Sequence, residues 1–387
     1  LSADFFDPSN SKPHLIHNKP LIKTKAMLRH SRYAPIVGIL VAWLICKVSG
    51  LYIQEPPYIE EERIAEYHRR GYTWPLREDE YVPNVKGWKD LMKRRFEQVI
   101  ANAEPQERWD GWLQTIASAK TVSNFTEFGW GITRANEQLT LELIAAVYNG
   151  IPNARGEGQV DIIDGPMPLF IDRQDLMQKV LFEMKPILEA WVGVELEPSI
   201  AYGFRVYRNE SRLWMHVDRT QTHVISCIYH IASSKDADPW PLVIEDYDGN
   251  TNSVVLKPGD ILLYESAKSF HGRPSRFKGK WYTSVFVHFY PKEGWNTIDR
   301  DLECHYAVPP NWYETHSSSL PKLRWVGASA HEPECPNSWC NLRNAKTWEG
   351  CVSVENCRLL HCFRPAHNLN IQPRRIWKGS HGKGKKV

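Results

Sequence analysis

Residues 204–231 read FRVYRNESRLWMHVDRTQTHVISCIYHI, and the fold prediction rests on this stretch. It contains three runs rich in β-branched and aromatic side chains, at 204–207, 213–217 and 223–231, with polar breaks between them, as is typical of β-strands. Similar runs follow at 242–244, 254–256, 260–264 and 281–290, and turn sequences occur at 248–250 and 257–260. Many short strands divided by turns predict a jelly-roll (double-stranded β-helix) barrel, whose mouth can hold a metal ion.

His216, Asp218 and His271 are candidate metal ligands in this region. Residues i and i+2 of a strand point to the same face, so His216 and Asp218 can bind one ion together. His271 comes soon after the strand-like run 260–264 and can add a ligand from another strand. Two imidazoles and one carboxylate form the facial triad that binds Fe(II) and leaves coordination positions open. The competing interpretation is two ordinary interior histidines and a turn or cap carboxylate.

Residues 201–291 resemble the catalytic core of the Fe(II)- and 2-oxoglutarate-dependent dioxygenases, in particular the prolyl 4-hydroxylase branch. The matching features are Tyr207, His216-x-Asp218, the turn 257–260, His271-Gly272 and Lys280-Trp281. The resemblance implies that His216, Asp218 and His271 bind iron and form the catalytic centre. It also implies that Lys280 and Tyr207 contact the far carboxylate of 2-oxoglutarate.

The lysine assigned to the far carboxylate departs from the family pattern. Lys280 lies nine residues after His271, whereas the family usually places this lysine ten residues after the histidine. Lys278 and Arg273 are therefore alternative partners, and Lys280 is preferred because Trp281 follows it. The segment between Asp218 and His271 is also shorter than in many prolyl hydroxylases, which would alter the substrate groove.

The resemblance implies an enzyme with Fe(II), 2-oxoglutarate and O2 as cofactors and with succinate and CO2 as co-products; an ascorbate requirement is compatible with it. The expected substrate is a proline-containing peptide or protein of the secretory pathway. The alternatives are the same chemistry on another side chain or small molecule, and a non-catalytic jelly-roll binding protein. The net charge of +3 on 387 residues gives no global attraction to nucleic acid.

The amino-terminal part of the chain predicts a membrane anchor. Residues 33–53 are apolar except for Lys47 and Ser49, and basic side chains precede them. This order is typical of a signal anchor whose amino end is cytosolic, so the rest of the chain is expected in the lumen of the endoplasmic reticulum or Golgi as a single-pass type II protein. The uninterrupted apolar run, 34–46, is short for a full span, which leaves a cleaved signal peptide or a buried helix as alternatives.

Cysteine usage agrees with a lumenal location. Five of the eight cysteines lie between Cys335 and Cys362, and Cys304 is available as a sixth partner. Crowded cysteines in an oxidising compartment favour disulfides. Zinc is the alternative, helped by His331 and His361, but the cysteine intervals lack a CxxC pair.

The remaining sequence completes an α+β organisation. Apolar residues recur at helical spacing in 88–100, 139–147 and 176–191, and these helices are expected to support one face of the barrel. Glycosylation sequons at Asn124 and Asn209 are consistent with a lumenal location. The predicted order is a basic cytosolic segment (1–32), a transmembrane anchor (33–53), a mainly helical support region (54–195), the jelly-roll core (196–295) and a Cys-, Trp- and Pro-rich region with a basic tail (296–387).

Overall fold

Two eight-stranded sheets face each other across an apolar layer in this computed structural model. It describes residues 57–69, 81–295 and parts of 304–331 and 346–349. The strands are β1 Trp130–Arg134, β2 Arg155–Gly156, β3 Ile163–Asp164, β4 Leu169–Ile171, β5 Leu196–Ala201, β6 Phe204–Arg208, β7 Arg212–His216, β8 Ile225–Ser233, β9 Leu242–Glu245, β10 Thr251–Val255, β11 Asp260–Tyr264, β12 His271–Arg273, β13 Trp281–Pro291, β14 Arg324–Val326, β15 Ser329–His331 and β16 Lys346–Glu349.

The first sheet has the order β1-β11-β8-β13-β6-β4-β2, with β5 also paired to β13. The second has the order β14-β15-β7-β12-β9-β10-β16, with β3 paired to β7. Neighbouring strands such as β7 and β12 are antiparallel, whereas β10 and β16 are parallel. All the strands predicted between 204 and 290 are present, and the two sheets with their packed helices confirm the prediction of a jelly-roll core supported by helices.

Side chains of the central strands alternate between two apolar layers, one on each face of the sheet. On β13, Val285 and Val287 pack outwards with Cys227 of β8 against helices. Tyr282 and Phe286 of the same strand point inwards, where residues of both sheets meet. Because successive side chains of a strand point to opposite faces, one strand can contribute to both layers.

Helices cover both sheets, so the expectation that they support a single face is wrong. The α-helices are α1 Pro57–Arg69, α2 Lys86–Ile100, α3 Pro105–Gly111, α4 Ser118–Thr121, α5 Glu137–Gly150 and α6 Gln174–Val192, and a π-helix spans Trp112–Ala117. Apolar residues of α5 and α6 pack on the first sheet, and those of α2 and the π-helix pack on the second. A buried ion pair fixes α2 to the second sheet, with Arg95 Nη2 2.6 and 2.8 Å from the carboxylate oxygens of Glu245 on β9.

Several short strands extend the sheets where no strand was predicted. β1–β4 lie in the region expected to be mainly helical, and β14–β16 lie in the Cys-, Trp- and Pro-rich region, for which no strand was predicted. None of the described helices meets the length and hydropathy needed to cross a bilayer. The predicted anchor at 33–53 and the cysteines between 335 and 362 fall outside the described residues.

Candidate metal centre

The three predicted metal ligands converge at one end of the second sheet. β7 and β12 pair so that His271 lies directly opposite His216, and Asp218 follows β7 by two residues. His216 Nε2 lies 3.6 Å from Asp218 Oδ1, and His271 Nε2 lies 4.0 Å from Asp218 Oδ2. One ligand atom from each residue falls within 4.8 Å of the others. Strand pairing thus brings together donors separated by more than fifty residues of sequence.

Hydrogen bonds orient both imidazoles towards the carboxylate. His216 Nδ1 lies 2.7 Å from the carbonyl oxygen of Trp214, and His271 Nδ1 lies 2.9 Å from that of Ser269. A carbonyl oxygen can only accept, so each Nδ1 carries the proton and donates it. The unprotonated Nε2 of each ring then faces Asp218. Backbone partners of this kind fix the tautomer of metal-binding histidines.

The electrostatics of the three residues suit a bound cation. Burial lowers the pKa of His216 to about 4 and that of His271 well below its usual value, so both rings are neutral at pH 7. Burial raises the pKa of Asp218 to about 7, against the opposing effects of the Ser266 hydroxyl and the Arg205 guanidinium. Asp218 Oδ2 is buried and has no hydrogen-bond partner among the described residues. A divalent ion would satisfy this oxygen and the two nitrogen lone pairs together, so the residues fit the predicted Fe(II).

A buried cation lies deeper in the barrel. Arg273, two residues after His271, is 2 % exposed, and its guanidinium donates to the Trp240 carbonyl oxygen and to the Tyr282 hydroxyl, the latter at 3.1 Å. The guanidinium carbon lies 4.7 Å from the ring centres of both Trp240 and Tyr282. No acidic side chain of the described residues forms an ion pair with Arg273. A buried guanidinium without a counter-ion is costly and matches the planar geometry of a carboxylate.

Tyr207 shares this part of the barrel. Its ring packs edge-on against Trp240 with centroids 5.0 Å apart, and its buried hydroxyl makes no hydrogen bond within the described residues. Burial raises the pKa of Tyr207, while the guanidinium groups of Arg205 and Arg273 lower it. An unpartnered hydroxyl beside an unneutralised guanidinium forms a cradle for an anionic group.

The other two candidate anchors lie at the surface. Lys280 is exposed and precedes β13, where its backbone N–H donates to Ser234 Oγ at 3.1 Å. Lys278 is also exposed and pairs with Glu210. The preference for Lys280 over Arg273 therefore lacks structural support. The i, i+2 relation between His271 and Arg273 is a sequence signal that could have indicated a shared face.

A cavity of about 380 Å³ borders the loop that follows Asp218. The residues that line it are Leu113, Gln114, Arg219, Thr220, Gln221, Thr222 and Cys304. Cys304, predicted as a disulfide partner, is buried with its Sγ 3.5 Å from Thr121 Oγ1. Most of the other lining side chains are polar, and two come from the π-helix, a rare structure that often marks functional sites.

Comparisons with known proteins find similarity only among solved structures. No family model and no curated protein matches the chain. A prolyl-4-hydroxylase from Pseudomonas putida is 16% identical, with 43% of this chain and 94% of that chain covered and a TM-score of 0.33. HygX from Streptomyces hygroscopicus, with nickel and 2-oxoglutarate bound, is 9% identical over 43% and 84% of the two chains, with a TM-score of 0.32. AviO1 from Streptomyces viridochromogenes is 13% identical over 44% and 92%, with a TM-score of 0.34.

Proposed function

We propose that this protein is an Fe(II)- and 2-oxoglutarate-dependent oxygenase. The observation that carries the proposal is the convergence of two imidazole nitrogens and one buried, unpartnered carboxylate oxygen from His216, His271 and Asp218. Two neutral nitrogen donors and one carboxylate suit Fe(II) and leave other coordination positions open. When bound there, iron with 2-oxoglutarate and O2 supplies oxidative decarboxylation to succinate and CO2, coupled to hydroxylation of a substrate C–H bond.

Arg273 and Tyr207 hold the far carboxylate of 2-oxoglutarate in this proposal. The guanidinium supplies two N–H groups and a full charge, and the Tyr207 hydroxyl supplies one further donor. Both groups lie inside the barrel, where water is excluded and a charge-assisted hydrogen bond is strong. The same contacts would orient the 2-oxo acid with its keto end towards the three ligands.

The proposed substrate is a prolyl residue in a polypeptide of the secretory pathway. The sequence resemblance to prolyl 4-hydroxylases supports this substrate. The cavity beside Asp218 is compatible with it, because side chains such as Gln114 and Thr222 offer hydrogen-bonding groups to a peptide backbone. The basic and apolar segments before residue 54 support a type II membrane protein whose catalytic part is lumenal.

Succinate formation tests the proposal. Purified protein is incubated with Fe(II), 2-oxoglutarate and proline-rich peptides, and succinate and peptide mass are measured together. We expect succinate only when both cofactors are present, and a gain of one oxygen on the peptide. His216→Ala should abolish both signals, whereas His331→Ala, outside the triad, should retain them. Succinate without peptide oxidation would remove the prolyl assignment, and no succinate with any candidate substrate would favour a non-catalytic binding protein.

A further inference from the structure

A third buried histidine lies beside the metal centre. His288, on the inner face of β13, is 4 % exposed, and its Nδ1 lies 3.7 Å from Asp218 Oδ2. It is not one of the three residues whose ligand atoms converge. The contact exists because β13 and β8 pair with His288 opposite Ser226, which places the imidazole next to the loop that carries Asp218.

A chain of three hydrogen bonds leads from this imidazole to the backbone. His288 Nδ1 lies 2.7 Å from Ser226 Oγ, and Ser226 Oγ lies 2.6 Å from Ser266 Oγ. The Ser266 hydroxyl donates to the carbonyl oxygen of His223 at 2.7 Å. Asp218 is tied to the same point, because its backbone N–H donates to the carbonyl oxygen of Ser266 at 2.8 Å.

The direction of these hydrogen bonds determines the tautomer of His288. Each serine hydroxyl has one proton. The proton of Ser266 goes to the carbonyl of His223 or to the Asp218 carboxylate, and both of these groups accept, so the proton of Ser226 must go to Ser266. The Ser226 oxygen can then only accept from His288, whose proton therefore resides on Nδ1.

We propose that His288 is a positioning residue for Asp218, acting through the N–H on Nδ1 that Ser226 and Ser266 hold beside the buried Oδ2. This N–H offers the positive end of a dipole to a carboxylate oxygen that has no hydrogen bond within the described residues. It thereby limits rotation of the carboxylate and keeps one oxygen facing the two imidazole ligands. The inference rests on the proposed function only in assuming that the centre binds a divalent metal.

The tautomer can be measured on the metal-free chain. Nitrogen-15 NMR of uniformly labelled protein distinguishes a protonated from an unprotonated ring nitrogen, and the signals of His288 are identified by their loss in His288→Phe. We expect a neutral ring with the proton on Nδ1. A proton on Nε2, which would require Ser226 to donate to the ring, overturns the inference.

Paired substitutions test the positioning role. An asparagine amide can place its nitrogen near the position of Nδ1, whereas a glutamine amide reaches the position of Nε2. Ni²⁺ affinity is measured by calorimetry without 2-oxoglutarate, for the unchanged chain and for His288→Asn, His288→Gln and His288→Phe. We expect Gln and Phe to weaken Ni²⁺ binding about 10- to 100-fold, as for other groups that orient metal ligands, and Asn to retain most of the affinity.

Ser226→Ala gives a second test that leaves the imidazole in place. The substitution removes the Ser226 hydroxyl that accepts from His288 Nδ1, and it should weaken Ni²⁺ binding as His288→Phe does. An unchanged thermal unfolding midpoint would show that the fold persists. Equal affinity in all four variants and the unchanged chain, or equal losses for Asn and Gln, overturns the positioning role. If the unchanged chain fails to bind Ni²⁺, the proposed function fails as well; normal binding with no effect of His288→Phe overturns this inference alone.

Discussion

Replacement of Arg273 by methionine should separate the two candidate anchors for 2-oxoglutarate. Methionine preserves much of the side-chain length but removes the charge and the N–H groups. Lys280→Met is the matched control, because it removes one positive charge from an exposed position. Arg273→Met should weaken 2-oxoglutarate binding greatly, and Lys280→Met should change it little.

The expected magnitudes follow from burial. Arg273 is 2 % exposed and forms no ion pair with an acidic side chain of the described residues, so a bound carboxylate would be its counter-ion. Truncating one partner of a buried, hydrogen-bonded charge pair costs about 2–5 kcal/mol, which corresponds to roughly 30- to 4000-fold in dissociation constant. An exposed lysine contributes about 0–1 kcal/mol after solvent screening, or less than about sixfold.

The assay is calorimetric binding of 2-oxoglutarate to the Ni²⁺-loaded protein, repeated with 2-oxobutyrate, which lacks the far carboxylate. The unchanged chain should prefer 2-oxoglutarate strongly, and Arg273→Met should lose that preference while retaining Ni²⁺ affinity. A large loss of 2-oxoglutarate binding in Lys280→Met, with normal binding in Arg273→Met, would refute the assignment. It would restore the anchor indicated by the Lys280-Trp281 motif.

Three further results are expected. Because burial raises the pKa of Asp218 to about 7 while His216 is neutral, metal uptake below pH 7 must displace one proton; Ni²⁺ affinity should fall about tenfold per pH unit from pH 7 to 5, and a flat profile would contradict this. Arg95→Met leaves the buried Glu245 carboxylate without its ion-pair partner and should lower the free energy of unfolding by about 3–5 kcal/mol in urea titrations, whereas a loss below about 1 kcal/mol would show that the pair is dispensable. If the chain is lumenal, glycosidase digestion should reveal a glycan that Asn209→Gln removes and Asn124→Gln does not, since Asn209 is exposed and Asn124 is buried.

Much of the barrel could be predicted because strands are recognised from the side-chain pattern of short, continuous stretches of sequence. Alternation in runs such as 204–207 and 281–290 reveals strands, and the i, i+2 spacing of His216 and Asp218 places two ligands on one face. The third ligand, His271, could be proposed from its place after the run 260–264, but its position opposite His216 depends on the pairing of β7 with β12.

The features that the sequence pattern did not reveal depend on contacts between distant parts of the chain. Lys280 was preferred because of its neighbour Trp281, but the motif does not reveal that β13 begins after the lysine. His288 was left without a role because its approach to Asp218 requires the register of β13 against β8. The helical spacing of apolar residues in α2 showed which of them are buried, but it did not show that they pack on the second sheet.

Anaerobic equilibrium dialysis of the metal-free chain against Fe(II) and labelled 2-oxoglutarate tests the central claim most directly. We expect one Fe(II) and one 2-oxoglutarate per chain, with both lost in His216→Ala and only 2-oxoglutarate lost in Arg273→Met. Undiminished Fe(II) binding in His216→Ala, or 2-oxoglutarate binding that does not depend on iron, would contradict the assignment of this site.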